Sequence, residues 1–159
     1  MITEFRRADP ERELRSLIAF DHKVFRKPDW FTTADWRRFE SYWLVVDGRK
    51  VGCCAFERHT DFQDDVRDDG IDPPLRGSLH IVTSGVLPRC QGKGFGTLMK
   101  AWQVSFARHH GFTRMVTCSR KSNRAMIELN KNFGFRTVRA TRGYYSSPLE
   151  SAVVMERLL

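Results

Sequence analysis

Apolar residues recur with a period near two in some stretches of the chain and near 3.6 in others, which predicts a mixture of strands and helices. A short strand is predicted over Ile2–Arg7. A helix is predicted from Asp9-Pro10 to about Phe25, because an N-cap residue followed by proline is a typical helix start. A second, short helix is predicted to begin at Thr33-Ala34-Asp35.

The middle of the chain has the pattern of strands joined by turns. Asp47-Gly48 is a strong hairpin signal between two predicted strands, Tyr42–Val46 and Lys50–Phe56. The polar stretch from about His59 to Gly77 is predicted to be a loop, and loops of this length in a compact domain usually have a function or move. A further strand is predicted over Ser78–Val86.

The second half of the chain alternates helices and strands. Apolar residues at i, i+3, i+7 and i+11 from Phe95 predict a helix that stops near Gly111. A strand is predicted over Arg114–Cys118. A helix follows, which is capped by Ser122 or Asn123 and ends at Gly134. Two last strands are predicted over Phe135–Val138 and Ala152–Met155. The order β-α-α-β-β-β-α-β-α-β-β, without repeat or linker, indicates one α/β (α+β) domain over residues 1–159.

Composition agrees with a single soluble globular domain. Of the 159 residues, 41% are hydrophobic and 29% charged, which excludes a largely disordered chain, and no apolar run is long enough for a membrane span. The first residues mix Arg, Asp and Glu, so a signal peptide is not expected. Four cysteines without a C-x-x-C spacing predict free thiols in the cytoplasm and no metal site: Cys53, Cys54, Cys90 and Cys118.

The net charge of +8 is unevenly distributed along the chain. Val86–Tyr145 contains twelve Lys or Arg and one acidic residue, whereas Glu57–Asp72 contains seven acidic residues and two Arg. A basic half of this kind suits a polyanion, either nucleic acid or a phosphate-rich cofactor, although a solvated basic surface would have the same composition.

A glycine-rich turn between a predicted strand and a predicted helix is the strongest indication of a binding site. Gly92, Gly94 and Gly96 let the backbone approach a ligand, and the N–H groups of the turn and of the first helical turn form an anion site beside Lys93. A P-loop is excluded because no Ser or Thr follows the lysine, and the Rossmann spacing G-x-G-x-x-G is absent.

At these residues the chain resembles the GNAT superfamily of acyl-CoA-dependent N-acetyltransferases. The family pattern Q/R-x-x-G-x-G/A is matched by Gln91-Gly92-Lys93-Gly94-Phe95-Gly96, which follows Val86-Leu87-Pro88. A second match, to N-x-x-A…L-Y-x-x-x-G-F, begins at Asn123 and ends at Gly134-Phe135. The tail around Tyr144-Tyr145 and Ala152–Met155 is similar to the branch that acetylates the N-terminal alanine of a ribosomal protein.

The resemblance implies a mixed, mostly antiparallel central sheet of about seven strands, splayed between the fourth and fifth, with about four helices. It implies that backbone amides of one segment bind the pyrophosphate of acetyl-CoA: Gln91, Gly92, Lys93, Gly94, Phe95, Gly96 and Thr97. The pantetheine would pair with the Val86 backbone, an N–H near Val86 or Leu87 would polarise the thioester carbonyl, and Asn123 would contact the cofactor. Arg89, Lys93 or Arg124 would meet the 3′-phosphate.

The catalytic positions depart from the family pattern. Asn130 stands where the family has its usual acid, a tyrosine, and Cys118 stands where N-terminal acetyltransferases often have Glu or His. Other relatives have a catalytic residue on the fourth strand, which makes His80 the base candidate; an ordinary strand-edge histidine is the alternative. Tyr144 and Tyr145 are the acid candidates, expected on opposite faces of a strand, with aromatic packing as the alternative.

The resemblance therefore implies an acetyl-CoA-dependent N-acetyltransferase in which a neutral primary amine attacks the thioester directly in a ternary complex. The acceptor is a protein N-terminus or a small cationic amine, the latter attracted by the acidic stretch Glu57–Asp72. The alternative is a catalytically impaired acyl-CoA-binding module, and nucleic-acid binding ranks last. We expect a monomer or homodimer that binds neither membrane nor metal.

Overall fold

The computed structural model of the protein describes residues 1–26, 30–59 and 77–159, with the backbone alone at His59. Its elements follow the predicted order. They are β1 (Thr3–Arg7), α1 (Leu14–Val24), α2 (Thr33–Arg38), β2 (Glu40–Val46), β3 (Arg49–His59), β4 (Ser78–Val86), α3 (Phe95–His109), β5 (Arg114–Arg120), α4 (Arg124–Asn132), β6 (Arg136–Ser146) and β7 (Leu149–Leu158). A short 3₁₀ turn, Pro88–Cys90, lies between β4 and α3.

The strands form one seven-stranded sheet in the order β1-β2-β3-β4-β5-β7-β6. The β1–β2, β2–β3, β5–β7 and β6–β7 pairs are antiparallel, and β4–β5 is parallel. The parallel register runs from Ser78 opposite Arg114 to Ile81 opposite Thr117 and stops there, although both strands continue. The expected fold class, including a fourth and fifth strand that pair over only part of their length, is confirmed.

The chain divides into two compact units. Unit 1 comprises Met1–Phe56 and Val82–Met99, and unit 2 comprises Glu57–Ile81 and Lys100–Leu159. Each unit is built from two separate stretches of chain. That residues 1–159 form a single N-acetyltransferase domain stays a prediction.

Unit 1 has an aromatic core. Trp36, Trp43 and Leu17 are fully buried there, and Phe20 contacts the edge of the Trp43 ring at 5.3 Å between centroids. Asp21 of α1 is a buried carboxylate that accepts a hydrogen bond from the backbone N–H of Phe31. Burial raises the pKa of Asp21 to about 6, against the smaller opposing effects of that hydrogen bond and of neighbouring charge.

An ion-pair network centred on the buried Glu156 carboxylate connects four strands of unit 2. The Glu156 carboxylate on β7 accepts a hydrogen bond from Arg114 Nε of β5 at 2.7 Å and another from Arg136 Nη2 of β6 at 2.8 Å. Arg114 Nη1 also lies 3.5 Å from Ser78 Oγ of β4. Hydrogen bonds from the two arginines hold the pKa of Glu156 below its ordinary value.

Several predicted elements differ in length from the observed ones. The first helix begins at Leu14 because Asp9 caps a separate turn, its carboxylate accepting from the N–H groups of Glu11 and Arg12. The last two strands are much longer than predicted. The edge strand β6 has mostly exposed polar residues and therefore lacks an apolar alternation, whereas the buried run of β7 continues at both ends into less buried residues. The predicted loop at about 59–77 begins where β3 ends, and residues 60–76 lie outside the described residues.

Candidate active site

The glycine-rich turn lies in unit 1, between the end of β4 and the start of α3. Gly92 and Gly94 have φ values of +75° and +85°, which L-amino acids with a side chain rarely adopt. A Cβ at either position would meet no atom within 4 Å. Backbone conformation, and not lack of space, is therefore the reason for glycine at both positions.

The start of α3 presents unpaired backbone donors beside this turn. The first helical hydrogen bond runs from Leu98 N–H to Gly94 O at 3.0 Å, so the N–H groups of Phe95, Gly96 and Thr97 have no acceptor within the helix. Residues 91–94 are exposed, including the Lys93 side chain, whereas the Phe95 side chain is buried and anchors the helix. The arrangement can bind an anion through backbone N–H groups and the positive end of the helix dipole.

Two hydrogen bonds fix the end of β4 next to this turn. Gln91 Nε2 donates to the Val86 carbonyl at 3.1 Å, and the Leu87 N–H donates to the Val51 carbonyl at 2.9 Å. Of the two backbone groups considered for polarising a thioester, the N–H of Leu87 is thus already engaged within the protein. The side chain of Gln91 has a structural role that the sequence did not indicate.

Close packing shapes the same strand end. A Cβ on Gly85 would lie 2.5 Å from Val24 Cγ1 and 3.2 Å from Phe25 Cζ. Only glycine leaves room at this position for the last turn of α1 to lie against β4. The end of β4 is therefore held by packing at Gly85 as well as by the hydrogen bonds of Val86 and Leu87.

Asn123 lies in unit 2, as does Arg124, the other candidate cofactor residue of that unit. Asn123 is the exposed N-cap of α4, and its Oδ1 accepts a hydrogen bond from the Met126 N–H at 3.3 Å. Asn130, at the family's tyrosine position, is 1% exposed, and its Nδ2 lies 3.7 Å from Met155 Sδ. Its backbone carbonyl accepts from the N–H groups of Phe133 and Phe135, so Asn130 helps to end α4.

His80, the candidate base, lies in the paired part of β4 in unit 2, with Val116 of β5 as its register partner. It is 6% exposed. The side chain is therefore buried and lies on a strand that is paired with β5, whereas an open strand edge would expose it; His80 as the base stays a prediction. Proton exchange between a buried imidazole and bulk water needs either a relay or a bound substrate.

Tyr144 and Tyr145 do not point to opposite faces as predicted. The β6–β7 register is irregular between Thr141 and Tyr145, and Gly143 has a φ of +63°. This irregularity breaks the alternation of side chains. The two rings meet edge to face, with centroids 4.9 Å apart and an interplanar angle of 82°, and both are half-buried.

Tyr145 forms a small cluster with two residues of β5. Its phenol oxygen lies 3.9 Å from Cys118 Sγ, and the Arg120 Cζ lies 4.3 Å from the centroid of its ring. Burial, with a further contribution from Cys118, raises the pKa of Tyr145 well above its ordinary value, and Arg120 opposes this only in part. The phenol is consequently protonated over the whole working pH range of a protein.

No cluster of three His, Cys, Asp or Glu side chains with metal-binding geometry is present within residues 1–26, 30–59 and 77–159. Over the same residues, no helix has the length and apolar character needed to cross a membrane.

Comparison with known protein families gives a match that includes the glycine-rich turn. The sequence model of the Acetyltransferase (GNAT) family matches residues 8–135. The chain matches none of the curated protein sequences with which it was compared.

Solved structures with the same fold are numerous but distant in sequence. Naa50 from Arabidopsis thaliana, in complex with the bisubstrate analogue CoA-Ac-MVNAL, superposes with a TM-score of 0.81 at 15% identity, with 100% of both chains covered. The ribosomal-protein-S18-alanine N-acetyltransferase from Escherichia coli gives 0.77 at 15% identity, covering 99% of this chain and 94% of that one. The GphF GNAT-like decarboxylase in complex with isobutyryl-CoA gives 0.78 at 19% identity, with 98% of both covered. With most of its length matched by the family's sequence model and the same fold throughout, this chain belongs to the GNAT acetyltransferase family.

Proposed function

We propose that the protein is an acetyl-CoA-dependent N-acetyltransferase acting on a primary amine. The observation that carries the proposal is the exposed glycine-rich turn, with its positive-φ glycines and the unpaired N–H groups at the start of α3. These are the donors that a pyrophosphate needs. The complexes of similar structures with CoA derivatives support the same assignment.

The residues of unit 1 have distinct proposed roles in holding the donor. Backbone amides of residues 92–97 bind the pyrophosphate, since the Gln91 N–H already donates to the Pro88 carbonyl at 3.2 Å, and Lys93 adds a positive charge. The Val86 backbone pairs with the pantetheine, and its N–H is the better candidate oxyanion donor because that of Leu87 already donates to Val51. Asn123, in unit 2, is a further proposed cofactor contact.

The proposed reaction is direct attack by a neutral amine, with CoA thiolate as the leaving group. An α-amino group has an ordinary pKa of about 7.7–8.0 and an alkylamine one of about 10.4, so the first needs far less help to lose its proton. His80 is buried, and Tyr145 stays protonated, so neither supplies a strong base open to solvent. We therefore favour a peptide or protein N-terminus over a small cationic amine as the acceptor.

Tyr145 and Tyr144 have a role compatible with this chemistry. A phenol with a raised pKa is a weak proton donor but a constant hydrogen-bond donor. We propose that Tyr145 donates such a hydrogen bond within the acceptor site, with Tyr144 as its edge-to-face neighbour. His80 remains the candidate base, acting only when a relay connects it to the amine.

A second candidate function is an acyl-CoA-binding module without turnover. One observation favours it: the position of the family's usual acid is occupied by the buried amide of Asn130, which cannot donate a proton to a leaving group. Positioning of the substrates and oxyanion stabilisation can still sustain catalysis without that acid, so we favour an active enzyme over a binding module. A cytoplasmic location and a monomeric or homodimeric state remain predictions. The four cysteines, which all belong to the described part of the chain, are free thiols.

A CoA-thiol release assay tests the proposal directly. Acetyl-CoA is offered with peptides that have free or blocked N-termini, polyamines, aminoglycosides and amino acids. Turnover confined to free N-termini supports the favoured acceptor, and turnover on polyamines or aminoglycosides alone contradicts that acceptor but not the enzyme. Acetyl-CoA binding without thiol release from any amine supports the binding module.

A matched pair of glycine variants separates the cofactor turn from general stability. Gly94→Ala puts a side chain at φ +85°, which costs about 1–2 kcal/mol, and we expect acetyl-CoA affinity to fall by about tenfold. Gly111→Ala imposes the same strain at φ +76° just after α3 ends. Equal losses of affinity in the two variants would contradict the turn as the cofactor site.

A further inference from the structure

Arg120, at the end of β5, binds the turn between β6 and β7 through several hydrogen bonds. Its Nη1 donates to the Pro148 carbonyl at 2.9 Å and to Glu150 Oε2 at 3.2 Å, and its Nη2 donates to the Ser147 carbonyl at 3.2 Å. Only 12% of the Arg120 side chain is exposed. The guanidinium is therefore fixed in place by partners in its own plane.

The same guanidinium also lies against the face of Tyr145. Its Cζ is 4.3 Å from the ring centroid, within the range of a cation–π contact, and the phenol oxygen is 3.9 Å from Cys118 Sγ. Arginine can satisfy acceptors in its plane and stack an aromatic ring on its face at once, whereas lysine cannot. One side chain thus determines both the position of the turn and the orientation of the ring.

Glu150 extends this network to the start of α4. Its Oε2 accepts from Arg120, and its Oε1 accepts from the Ser122 N–H at 2.7 Å. Ser122 directly precedes Asn123, the N-cap of α4 and a proposed cofactor contact. Through Glu150, the hairpin that includes Tyr145 and the start of α4 share one set of hydrogen bonds.

We infer that Arg120 is a positioning residue of the acceptor site, which holds the Tyr145 phenol where it donates its hydrogen bond during acetyl transfer. The inference rests on the proposed function, since the placement of the phenol matters for turnover only if Tyr145 meets a substrate. It assigns to Arg120 a role that acts through Tyr145 and not through a contact of its own with substrate.

A double-mutant cycle tests whether Arg120 acts through Tyr145. Arg120→Met keeps the length of the side chain and removes the in-plane donors. We expect kcat to fall by about 10- to 100-fold, because misplacement of a catalytic group by about 1 Å has effects of this size. Arg120→Lys restores the charge without the fork, so its activity stays below one third of wild type. Arg142→Met, at an exposed arginine of the β6–β7 hairpin that also contains Tyr145, is the matched control and keeps wild-type activity.

The decisive comparison is made in the Tyr145→Phe background. Tyr145→Phe keeps the ring and removes the phenol oxygen, and we expect a loss comparable to that of Arg120→Met. If Arg120 acts through that oxygen, adding Arg120→Met to Tyr145→Phe lowers kcat by no more than about threefold further. Losses that multiply in full overturn the inference, as does a Tyr145→Phe enzyme with wild-type kcat.

A measurement without turnover keeps the inference separate from the proposed function. The chain has only three tyrosines, so selective ¹³C labelling of tyrosine rings gives three resolvable sets of NMR signals, assigned with Tyr→Phe variants. Arg120→Met should shift the Tyr145 ring signals and leave those of Tyr42 unchanged, while thermal unfolding remains cooperative. Unmoved Tyr145 signals overturn the positioning role. Wild-type protein that acetylates no amine contradicts the proposed function, and the ring signals then still decide whether Arg120 orients Tyr145.

Discussion

The buried carboxylate of Glu156 gives the sharpest test of what stabilises unit 2. The side chains of Glu156 and Arg114 are 9% and 8% exposed, and their atoms Oε2 and Nε are 2.7 Å apart. Glu156→Ala removes the partner of a buried guanidinium and leaves its charge uncompensated. The loss of one member of a buried pair typically costs about 3–5 kcal/mol. Arg136, the second partner, is 71% exposed, so its ion pair adds little.

Thermal and urea unfolding measure this cost. For a chain of this size, about 1 kcal/mol corresponds to a shift in Tm of about 2–4 °C, so Glu156→Ala should lower Tm by roughly 10 °C. Glu128→Ala is the matched control, because Glu128 is 66% exposed and only 3.6 Å from Lys131 Nζ. We expect its free energy of unfolding to change by less than about 0.5 kcal/mol. Similar losses in the two variants would refute the reasoning.

The pH dependence of the same difference checks its electrostatic cause. The pKa of Glu156 is lower in the folded protein than its ordinary value of 4.5. A carboxyl group with a lowered folded pKa stabilises the fold fully above its ordinary pKa and loses that contribution as pH falls through the folded value. The stability gap between wild type and Glu156→Ala should therefore be constant above pH 4.5 and narrow below it. A gap that is independent of pH would assign the effect to packing.

Three further changes have expected outcomes. Asp21→Asn should stabilise the protein by up to about 3 kcal/mol at pH 8 but not below pH 3.8, because the penalty on ionised Asp21 develops between its ordinary pKa of 3.8 and its folded pKa of about 6. A stability difference in urea titrations that does not change across this pH range would contradict the assignment. Asn123→Ala should cost about 1 kcal/mol through loss of the α4 cap and should raise the KM for acetyl-CoA, whereas an Asn123→Ser variant that restores stability but not KM would separate the two roles. Gly85→Ala should cost about 1–3 kcal/mol through the clash with Val24, and unchanged thermal unfolding would show that α1 shifts without cost.

The order of elements and the conformation of the glycine-rich turn could be predicted because their determinants are local. The hairpin at Asp47-Gly48 has φ values of +48° and +79°, as its residue types demand, and Asn123 caps α4 as predicted. Glycine likewise occurs in the glycine-rich turn because the backbone there has positive φ values, which glycine adopts without strain. Local steric rules act within a few residues, so a single sequence is enough to apply them.

The contacts around Tyr145, in the proposed acceptor site, are harder to predict because they join residues that are distant in sequence. Arg120 meets Ser147, Pro148 and Glu150 across 27–30 residues of sequence, and no short motif encodes that meeting. The ring contact between Tyr144 and Tyr145 depends on an irregularity of the strand at Gly143. The rule that side chains alternate along a strand does not predict such an irregularity. The burial of His80 depends on the pairing of β4 with β5. The pattern of apolar residues around His80 in the sequence does not show which strand pairs with β4.

The hydrogen bond from Gln91 to the Val86 carbonyl has a consequence for how the donor is selected. It joins the turn proposed for the diphosphate to the strand end proposed for the thioester, so the spacing between the two is set by the protein. A donor with a shorter or longer arm than pantetheine would reach the strand with its acyl carbon out of register. The Gln91 side chain would thereby select for the length of the donor's arm. A Gln91→Ala variant should use acyl donors with a shortened pantetheine arm relatively better than the wild type does, even though its turnover with acetyl-CoA is lower.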